Sequence, residues 1–429
     1  MVNSGSWSNV VAPLRERDFR LLWAGNLASL LGDGIFTVAL ALEALAVDRQ
    51  PTGLAYVLAC RTVPSIAFGI VGGVVVDRIS RRTAMLMADL ARGLAVAVIG
   101  ILVFEHVIAL WHLVVMAVVF GIADSFGEPA FLAVVPEIVP ARLITQANAL
   151  STTSGQLASN LVGPALGGLA VGVIGRAGAF GLDTASFGVL LVCLLFLKVR
   201  SNAQPSGRSF FAEAGDGVRY IASRRWLYLL LLGAAFANLV GMGPYLVLLP
   251  VMVRHVLHGS AMVLGLIYAA SGASGVVAAL VVGRLGTPRY LVEIMWSAYC
   301  LGGLAVAGIA FAPDAIVTGA LSALSAGLIV YGDVLYFTRL QTAVPQRLLG
   351  RVSSVSFVMV MTLTPVGTVL GGVMAATLGA RGGFLLSGLL AATAGVVLLI
   401  PGARDVEPLP GDAEPGAGAS AERLEESGA

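Results

Sequence analysis

The sequence predicts an all-α membrane protein in which twelve transmembrane helices form two six-helix bundles. Three observations support this fold class: the composition, the number of long apolar segments, and a repeat that relates the two halves of the chain. Of the 429 residues, 58% are hydrophobic and only 12% are charged, whereas soluble domains carry about 25% charged residues. This composition is typical of a chain that is surrounded by lipid.

The composition also excludes several classes of function. The formal net charge is only +2, so we expect no nucleic-acid partner. Cys60, Cys193 and Cys300 lie in apolar stretches without disulfide or metal-ligand spacing, and we interpret them as packing residues. No phosphate-binding loop or nucleophile–base motif is present, so we predict no cofactor, no metal site and no enzymatic activity.

Twelve segments are long and apolar enough to cross a bilayer, which takes roughly 20 residues each. An even number of spans puts both termini on the same side. In chain order, spans 1 to 12 are predicted at 20–44, 53–76, 84–104, 111–135, 143–172, 179–197, 227–253, 261–282, 290–311, 315–338, 353–377 and 382–400.

The Lys and Arg residues in the loops predict the orientation, because cytoplasmic loops are enriched in positive charge. With the N-terminus inside, fifteen of these residues fall in cytoplasmic loops, and only Arg49, Arg176, Arg254 and Arg381 fall outside. We therefore predict a multi-pass protein of the plasma membrane with both termini in the cytoplasm.

Four regions follow from this topology. Residues 1–197 and 227–400 are the predicted bundles, 198–226 is a basic cytoplasmic linker, and 401–429 is a Gly-, Ala-, Pro- and Glu-rich tail that we expect to be disordered. Within the linker, the stretch from Phe210 to Trp226 has an amphipathic pattern. It is interpreted either as an interfacial helix or as an ordinary connection.

The two bundles are related by a weak internal repeat. Three short motifs recur in the same order at nearly constant spacing, which indicates duplication of a six-helix unit. Transporters with parallel six-helix repeats carry their substrate near the midplane, between the halves. The motif pairs are GLAY at 53–56 with GLIY at 265–268, VPARL at 139–143 with VPQRL at 344–348, and LGG at 166–168 with LGG at 370–372.

The sharpest motif is GVVVDRISRR, which runs from Gly73 to Arg82 between spans 2 and 3. It places the carboxylate of Asp77 among the guanidinium groups of Arg78, Arg81 and Arg82. Such a cluster can hold neighbouring helices together by charge-assisted hydrogen bonds and release them when the geometry changes. The alternative is a simple run of positive charge that stops the span on the cytoplasmic side.

This motif resembles the loop signature of the major facilitator superfamily, although Ser80 stands where that signature has Gly. The resemblance implies an inner gate in which Asp77 engages the start of span 11, where Arg351 lies. GPALGG, from Gly163 to Gly168, resembles the motif of the superfamily's antiporter branch. Its small residues Gly163, Gly167 and Gly168 allow close helix approach, and Pro164 bends the helix.

Longer stretches at 19–33, 127–150 and 340–354 resemble the macrolide-efflux and siderophore-export group of this superfamily. The resemblance covers about 15–400. It implies two six-helix bundles, alternating access, and export coupled to inward proton flow.

Ionisable residues inside the spans are the candidate coupling or substrate residues, because burying a charge in the bilayer costs about 2.5–3.5 kcal/mol. Asp33 lies near the middle of span 1 between Gly32 and Gly34, and Arg61 lies at a similar depth in span 2. Asp33 is interpreted either as a residue that binds a proton or substrate, or as the fixed partner of Arg61.

Further acids lie in spans 4 and 10. Asp124 and Glu128 are four residues apart and share a helix face, and Glu128 maps onto Asp333 at the repeat offset. They are interpreted either as a cation or proton site, or as gate ion pairs in which Arg339 is the partner of Asp333. Asp183 in span 6 is a weaker candidate, and we expect Asp89 and Arg92 to be gate or interface charges nearer the cytoplasm.

The functional prediction is a secondary active exporter of a small amphipathic organic compound, such as an antibiotic, natural product or siderophore, driven by proton antiport. Its expected partners are the substrate, protons and the bilayer, and we expect it to act as a monomer. An importer or facilitator of the same fold, or a non-transporting membrane sensor, remains the alternative.

Overall fold

The computed structural model describes residues 11–48, 50–76, 80–198, 210–285, 288 and 290–393, and within these ranges the regular structure is helical. A short 3₁₀ turn, Ala12–Arg15, precedes the first helix. The helices are α1 (Arg17–Val47), α2 (Pro51–Val76), α3 (Arg81–Phe104), α4 (Leu110–Ile138), α5 (Ile144–Leu157), α6 (Gly163–Leu195), α7 (Phe210–Ser223), α8 (Arg225–Ala237), α9 (Gly243–Val251), α10 (Ala261–Leu285), α11 (Leu291–Gly308), α12 (Ala315–Ala343), α13 (Gln346–Met361) and α14 (Thr364–Ala392).

Two of the long helical stretches each contain two spans. Gln146–Leu195 covers 50 residues, which would measure about 75 Å at 1.5 Å per residue, far more than the roughly 30 Å hydrocarbon core. The chain reverses at Gly175, which has φ 75°, a conformation that costs glycine little. Gly379, with φ 70°, divides α14 in the same way.

Within the described ranges, nine helical segments are long and apolar enough to cross a membrane. The breaks at Gly175 and Gly379 raise that number, and α2 adds a further helix of 26 residues. The architecture therefore agrees with the predicted twelve spans. Span 5 comprises α5 and α6 up to Gly175, span 7 comprises α8 and α9, and span 11 comprises α13 and α14 up to Gly379.

The helices pack mainly within their own half of the chain. In the first half, α1 lies against α6, α2 against α4, and α3 against both α4 and α6. In the second half, α9 lies against α14, α10 against α12, and α11 against α12 and α14. The two halves meet along two seams, α6 with α10 and α2 with α14.

A Gly-Pro pair shapes one helix in each half, in span 5 and in span 7. A π-helical turn, Ala158–Val162, precedes Gly163 and Pro164, and another, Asn238–Met242, precedes Gly243 and Pro244. Proline has no N–H to donate to the carbonyl four residues earlier, so a helix widens or bends there. At Pro244 the freed carbonyl is that of Val240, which accepts a hydrogen bond from the buried Ser387 hydroxyl at 2.6 Å.

The connection between the halves contains the predicted amphipathic helix, α7. It packs against α13 and α8, and Tyr220 and Ile221 join an apolar cluster with Leu227 and Trp296. This packing identifies the stretch as a helix rather than an irregular linker.

Candidate functional site

Among the described residues, six ionisable side chains lie near one another inside the first half, and four of them form one ion-pair network. They come from five different spans, so the network depends on the tertiary fold rather than on local sequence. The four connected residues are Arg61 on α2, Asp89 and Arg92 on α3, and Asp124 on α4.

Asp124 is the centre of this network because each of its oxygens has a different arginine partner. Its Oδ2 accepts from Nη2 of Arg61 at 3.2 Å, and its Oδ1 accepts from Nη1 of Arg92 at 3.1 Å. Arg92 also pairs with Asp89, three residues earlier on the same helix. Asp124 therefore ties spans 2, 3 and 4 together.

Phenylalanine rings lie beneath both arginines. The Arg61 guanidinium carbon lies 5.2 Å from the centroid of the Phe120 ring, and that of Arg92 lies 5.4 Å from the Phe187 ring. Phe36 stacks on Phe120 with centroids 5.0 Å apart. Cation–π contacts of this kind restrict the arginines to one side of the network.

Asp33 and Asp183 lie beside the network, and each has an oxygen without a hydrogen-bond partner in the described part of the chain. These are Oδ1 of Asp33 and Oδ2 of Asp183. The other Asp183 oxygen lies 3.3 Å from the Ser186 hydroxyl, and Asp183 is 0% exposed. Buried charges are normally paired, so both carboxylates have unused capacity for a proton or a cation.

The contacts of this network bear on two of the interpretations made from the sequence. Arg61 pairs with Asp124 in this structure, not with Asp33. Asp89 and Arg92 belong to the same network, and Asp89 is only 2% exposed; their expected role as gate or interface charges stays a prediction. In the sequence, the spacing of three residues between Asp89 and Arg92 on one helix face indicates that these two side chains can pair. The Glu128 side chain lies outside the described residues, although its backbone continues α4.

In the second half, the span equivalent to span 4 also carries an acid, but with a different kind of partner. Asp333 on α12 accepts a hydrogen bond from the Tyr299 hydroxyl on α11 at 2.7 Å. Arg339, the ion-pair partner proposed for Asp333, instead lies over the Trp226 ring at 5.2 Å. Asp333 therefore has a neutral donor where Asp124 has two guanidinium groups.

The described part of the predicted gate joins helices of the first half. Arg81 pairs with Glu137 at the end of α4, and Arg82 donates from Nε to the Leu194 carbonyl at 2.7 Å. Gly73 lies in the last turns of α2. Asp77, Arg78 and the side chain of Arg351 lie outside the described residues, so the predicted contact between them stays a prediction.

The GPALGG motif makes close backbone contacts in two directions. A Cβ atom on Gly167 would lie 2.9 Å from the Ile35 Cα of α1, and one on Gly168 would lie 2.9 Å from the Met262 Cα of α10. A Cβ atom on Gly34 would lie 2.6 Å from the Gly163 Cα. Pro164 lies beside Gly163 in the first turn of α6. The motif thus packs span 5 against span 1 and against the other half.

The second LGG motif makes the equivalent contact at the other seam. A Cβ atom on Gly372 would lie 3.2 Å from the Thr52 Cα, near the start of α2. We name the membrane side where α1 ends and α2 begins the distal side, and the opposite side the proximal side. Both LGG contacts lie in the distal half of the membrane.

The comparisons with known proteins decide the family. The sequence profile of the transmembrane secretion effector family matches residues 8–413. The chain belongs to this family of major facilitator transporters. It is 24% identical to macrolide efflux protein A of Streptococcus pyogenes over 389 residues, which is 87% of this chain and 93% of that protein. It is 26% identical to the multidrug efflux pump Tap of Mycolicibacterium fortuitum over 405 residues, 90% and 96% of the two chains.

Solved structures confirm the major facilitator fold. The nucleoside transporter NupG, as its D323A mutant, superposes with a TM-score of 0.72 at 9% identity, covering 89% of this chain and 98% of that one. A D-xylose–proton symporter superposes with a TM-score of 0.67 at 14% identity, covering 88% and 96%. This transmembrane secretion effector is accordingly a multi-pass membrane transporter of small molecules.

Proposed function

We propose that this transporter is a proton-driven exporter of small amphipathic organic compounds. The observation that carries the proposal is the Asp33 carboxylate in the middle of span 1, whose Oδ1 has no hydrogen-bond partner among the described residues, beside the network centred on Asp124. A carboxylate that is buried next to exchangeable ion pairs can take up a proton on one side of the membrane and release it on the other.

The coupling follows from competition for a limited number of positive charges. Asp124 holds both Arg61 and Arg92 in the present arrangement. When a proton binds Asp33, that carboxylate no longer attracts either arginine. When the proton leaves, Asp33 competes with Asp124 for them, and the helices that carry these residues shift relative to one another. Such redistribution of ion pairs is a physical means of switching between two states.

The two seams supply the second part of the proposal, alternating access. The close contacts of Gly168 and Gly372 with the opposite half support a conformation that is closed on the distal side. We propose that bundles 1–197 and 227–400 rock about these glycine contacts, with the proximal side closed by the gate around Asp77 in the opposite state. A single chain holds both bundles, so the monomer is the proposed unit of transport.

The proposed direction of transport depends on the orientation of the protein in the membrane. The excess of Lys and Arg in the proximal loops supports a cytoplasmic proximal side, and the names of the efflux relatives support export. A reporter fused after Arg404 should be accessible only from the cytoplasm. Labelling of that reporter from outside intact cells would reverse the orientation and turn the proposed export into import.

Transport in inverted membrane vesicles tests the function directly. With the vesicle interior made acidic, amphipathic compounds from a panel of antibiotics should accumulate inside, and a protonophore should abolish accumulation. Vesicles without the transporter are the control. Accumulation that persists with the protonophore would contradict proton antiport, and uptake only in right-side-out vesicles would support an importer.

A further inference from the structure

A membrane-facing groove adjoins one of the unpartnered carboxylates. It lies between spans 1, 5 and 6 and has a volume of about 530 Å³. Its walls are almost entirely apolar and include Leu31, Ile35, Leu166, Leu169 and Leu182. Leu166, Leu169 and Leu182 are exposed, and exposed apolar side chains on a transmembrane helix face lipid. The groove is therefore open to the hydrocarbon of the bilayer.

Asp183 lies close to the groove lining. Gly32 and Ser186 are part of the lining. A Cβ atom on Gly32 would lie 2.8 Å from the Ser186 Cβ and still closer to the Ser186 hydroxyl and the Asp183 carboxylate. The Ser186 hydroxyl donates its hydrogen bond to the Asp183 main-chain carbonyl at 2.7 Å and lies 3.3 Å from Asp183 Oδ1. Gly32 and Ser186 therefore line the groove and also lie next to the Asp183 carboxylate.

The charges of the region favour a cation over an anion. Four carboxylates face two guanidinium groups, and both guanidinium groups are already paired with Asp89 and Asp124. If all six groups are ionised, two negative charges are left without a protein partner, on Asp33 and Asp183. A ligand that enters here therefore gains by being positively charged, whereas an anion would be repelled.

We propose that the groove and Asp183 together form a binding site for a lipophilic organic cation that reaches the transporter through the bilayer. The apolar part of the ligand lies against the leucines of spans 1, 5 and 6, and its positive charge lies towards Asp183 after Ser186 changes rotamer. Asp33, on the network side, remains free for the proton. This names a substrate class for the export function proposed above and rests on that function for its physiological meaning.

Equilibrium binding of two isosteric ions tests the site without any gradient. The full-length protein in lipid nanodiscs is titrated with radiolabelled tetraphenylphosphonium and with tetraphenylborate, and empty nanodiscs give the background partitioning for each. The cation should bind saturably, and the anion should show no saturable binding. Asp183→Asn should weaken cation binding at least about tenfold, because an ion pair at low dielectric exceeds 1.4 kcal/mol.

A second pair of variants tests the groove separately from the carboxylate and leaves the buried core intact. Leu182→Trp fills the groove, and Val189→Trp lies two turns further along the same helix, outside the groove lining. Both side chains are similarly exposed, at 45% and 48%, so each variant should fold. Leu182→Trp should reduce cation affinity severalfold, and Val189→Trp should leave it unchanged.

Equal binding of the two ions, unchanged cation affinity in Asp183→Asn, or equal affinity in the two tryptophan variants would overturn the proposal. These results are distinguishable from failure of the proposed function. Cation binding without proton-driven accumulation would contradict proton antiport and support the binding site. Antiport of other compounds without cation binding would contradict the site and support the export function.

Discussion

The two halves of this transporter have the same seams but different interiors. Gly168 in the first half and Gly372 in the second each bring span 5 or span 11 against the opposite bundle at the distal side. The polar groups inside the two bundles differ. The first half contains the Arg61–Asp124–Arg92 network, whereas in the second half the neutral hydroxyl of Tyr299 donates a hydrogen bond to Asp333.

This difference shows that the contacts between the bundles and the proposed coupling site have different structural requirements. Both seams need backbones within van der Waals contact, and only residues without a side chain permit this, so the LGG motif is present in both halves. A coupling site is needed only once, and its charges are costly to bury. From this comparison we propose that coupling belongs to the first half and that Asp333 makes a structural hydrogen bond.

The largest expected effect is on stability, at the centre of the first-half network. Asp124→Asn removes the charge that holds both arginines and leaves Arg61 without its carboxylate partner. These pairs are only partly buried, so we expect a loss of about 1–3 kcal/mol, below that for one partner of a fully buried pair, measured as reduced thermal stability in nanodiscs. Asp333→Asn should cost about 1 kcal/mol or less, since an amide oxygen still accepts from Tyr299.

A double substitution sharpens this comparison. Asp124→Asn combined with Arg61→Gln removes the unpaired charge and should recover part of the lost stability. Two results would contradict the proposed difference between the halves: equal destabilisation by Asp124→Asn and Asp333→Asn, or no recovery of stability in the double variant.

The next largest effect concerns the seams, where the two halves should respond alike. In Gly168→Ala or Gly372→Ala the new methyl group meets the opposite half, and overpacking of this kind costs about 1–3 kcal/mol. The strain applies only while the distal side is closed, so spin-label distances across that side should increase in both variants. Gly172→Ala is the matched control, because a Cβ atom there meets nothing within 4 Å. An increase in the spin-label distances in only one of the two variants would contradict the proposed equivalence of the seams.

The smallest effect is expected at the proline bend of the second half. Ser387→Ala removes the hydroxyl that donates to the Val240 carbonyl at 2.6 Å. We expect a loss of about 1 kcal/mol or slightly more, because a buried carbonyl is left without a donor. Thermal unfolding measures this loss, and an unchanged transition would show that water or another donor replaces the serine.

Most of the fold could be predicted from the sequence, because span length, loop charge and glycine motifs are local signals. The duplicated LGG motif indicated that the two halves are related, but the seams that it forms depend on the tertiary fold. The partners inside the first half could not be predicted in the same way. Asp124 lies 63 residues from Arg61, and which carboxylate that arginine meets depends on helix rotation and tilt, which are set by packing.

The same limit applies to Asp89 and Arg92. Their positions near the start of span 3 predicted gate or interface charges, but the sequence could not show that α3 presents them towards α4, where Arg92 contacts Asp124. Asp183 was a weaker candidate because its depth in span 6 was unclear from the sequence. The reversal at Gly175 sets that depth, and it brings Asp183 beside Gly32 of span 1.

The central claim, that coupling lies in the first half, is tested most directly by comparing Asp33→Asn with Asp333→Asn in proton-driven transport. Both substitutions keep side-chain shape and remove one titratable group. In inverted vesicles, Asp33→Asn should lose accumulation driven by the pH gradient while retaining gradient-independent substrate exchange, and Asp333→Asn should retain both. Normal pH-driven accumulation in Asp33→Asn, together with its loss in Asp333→Asn, would contradict the account and move the coupling site to the second half.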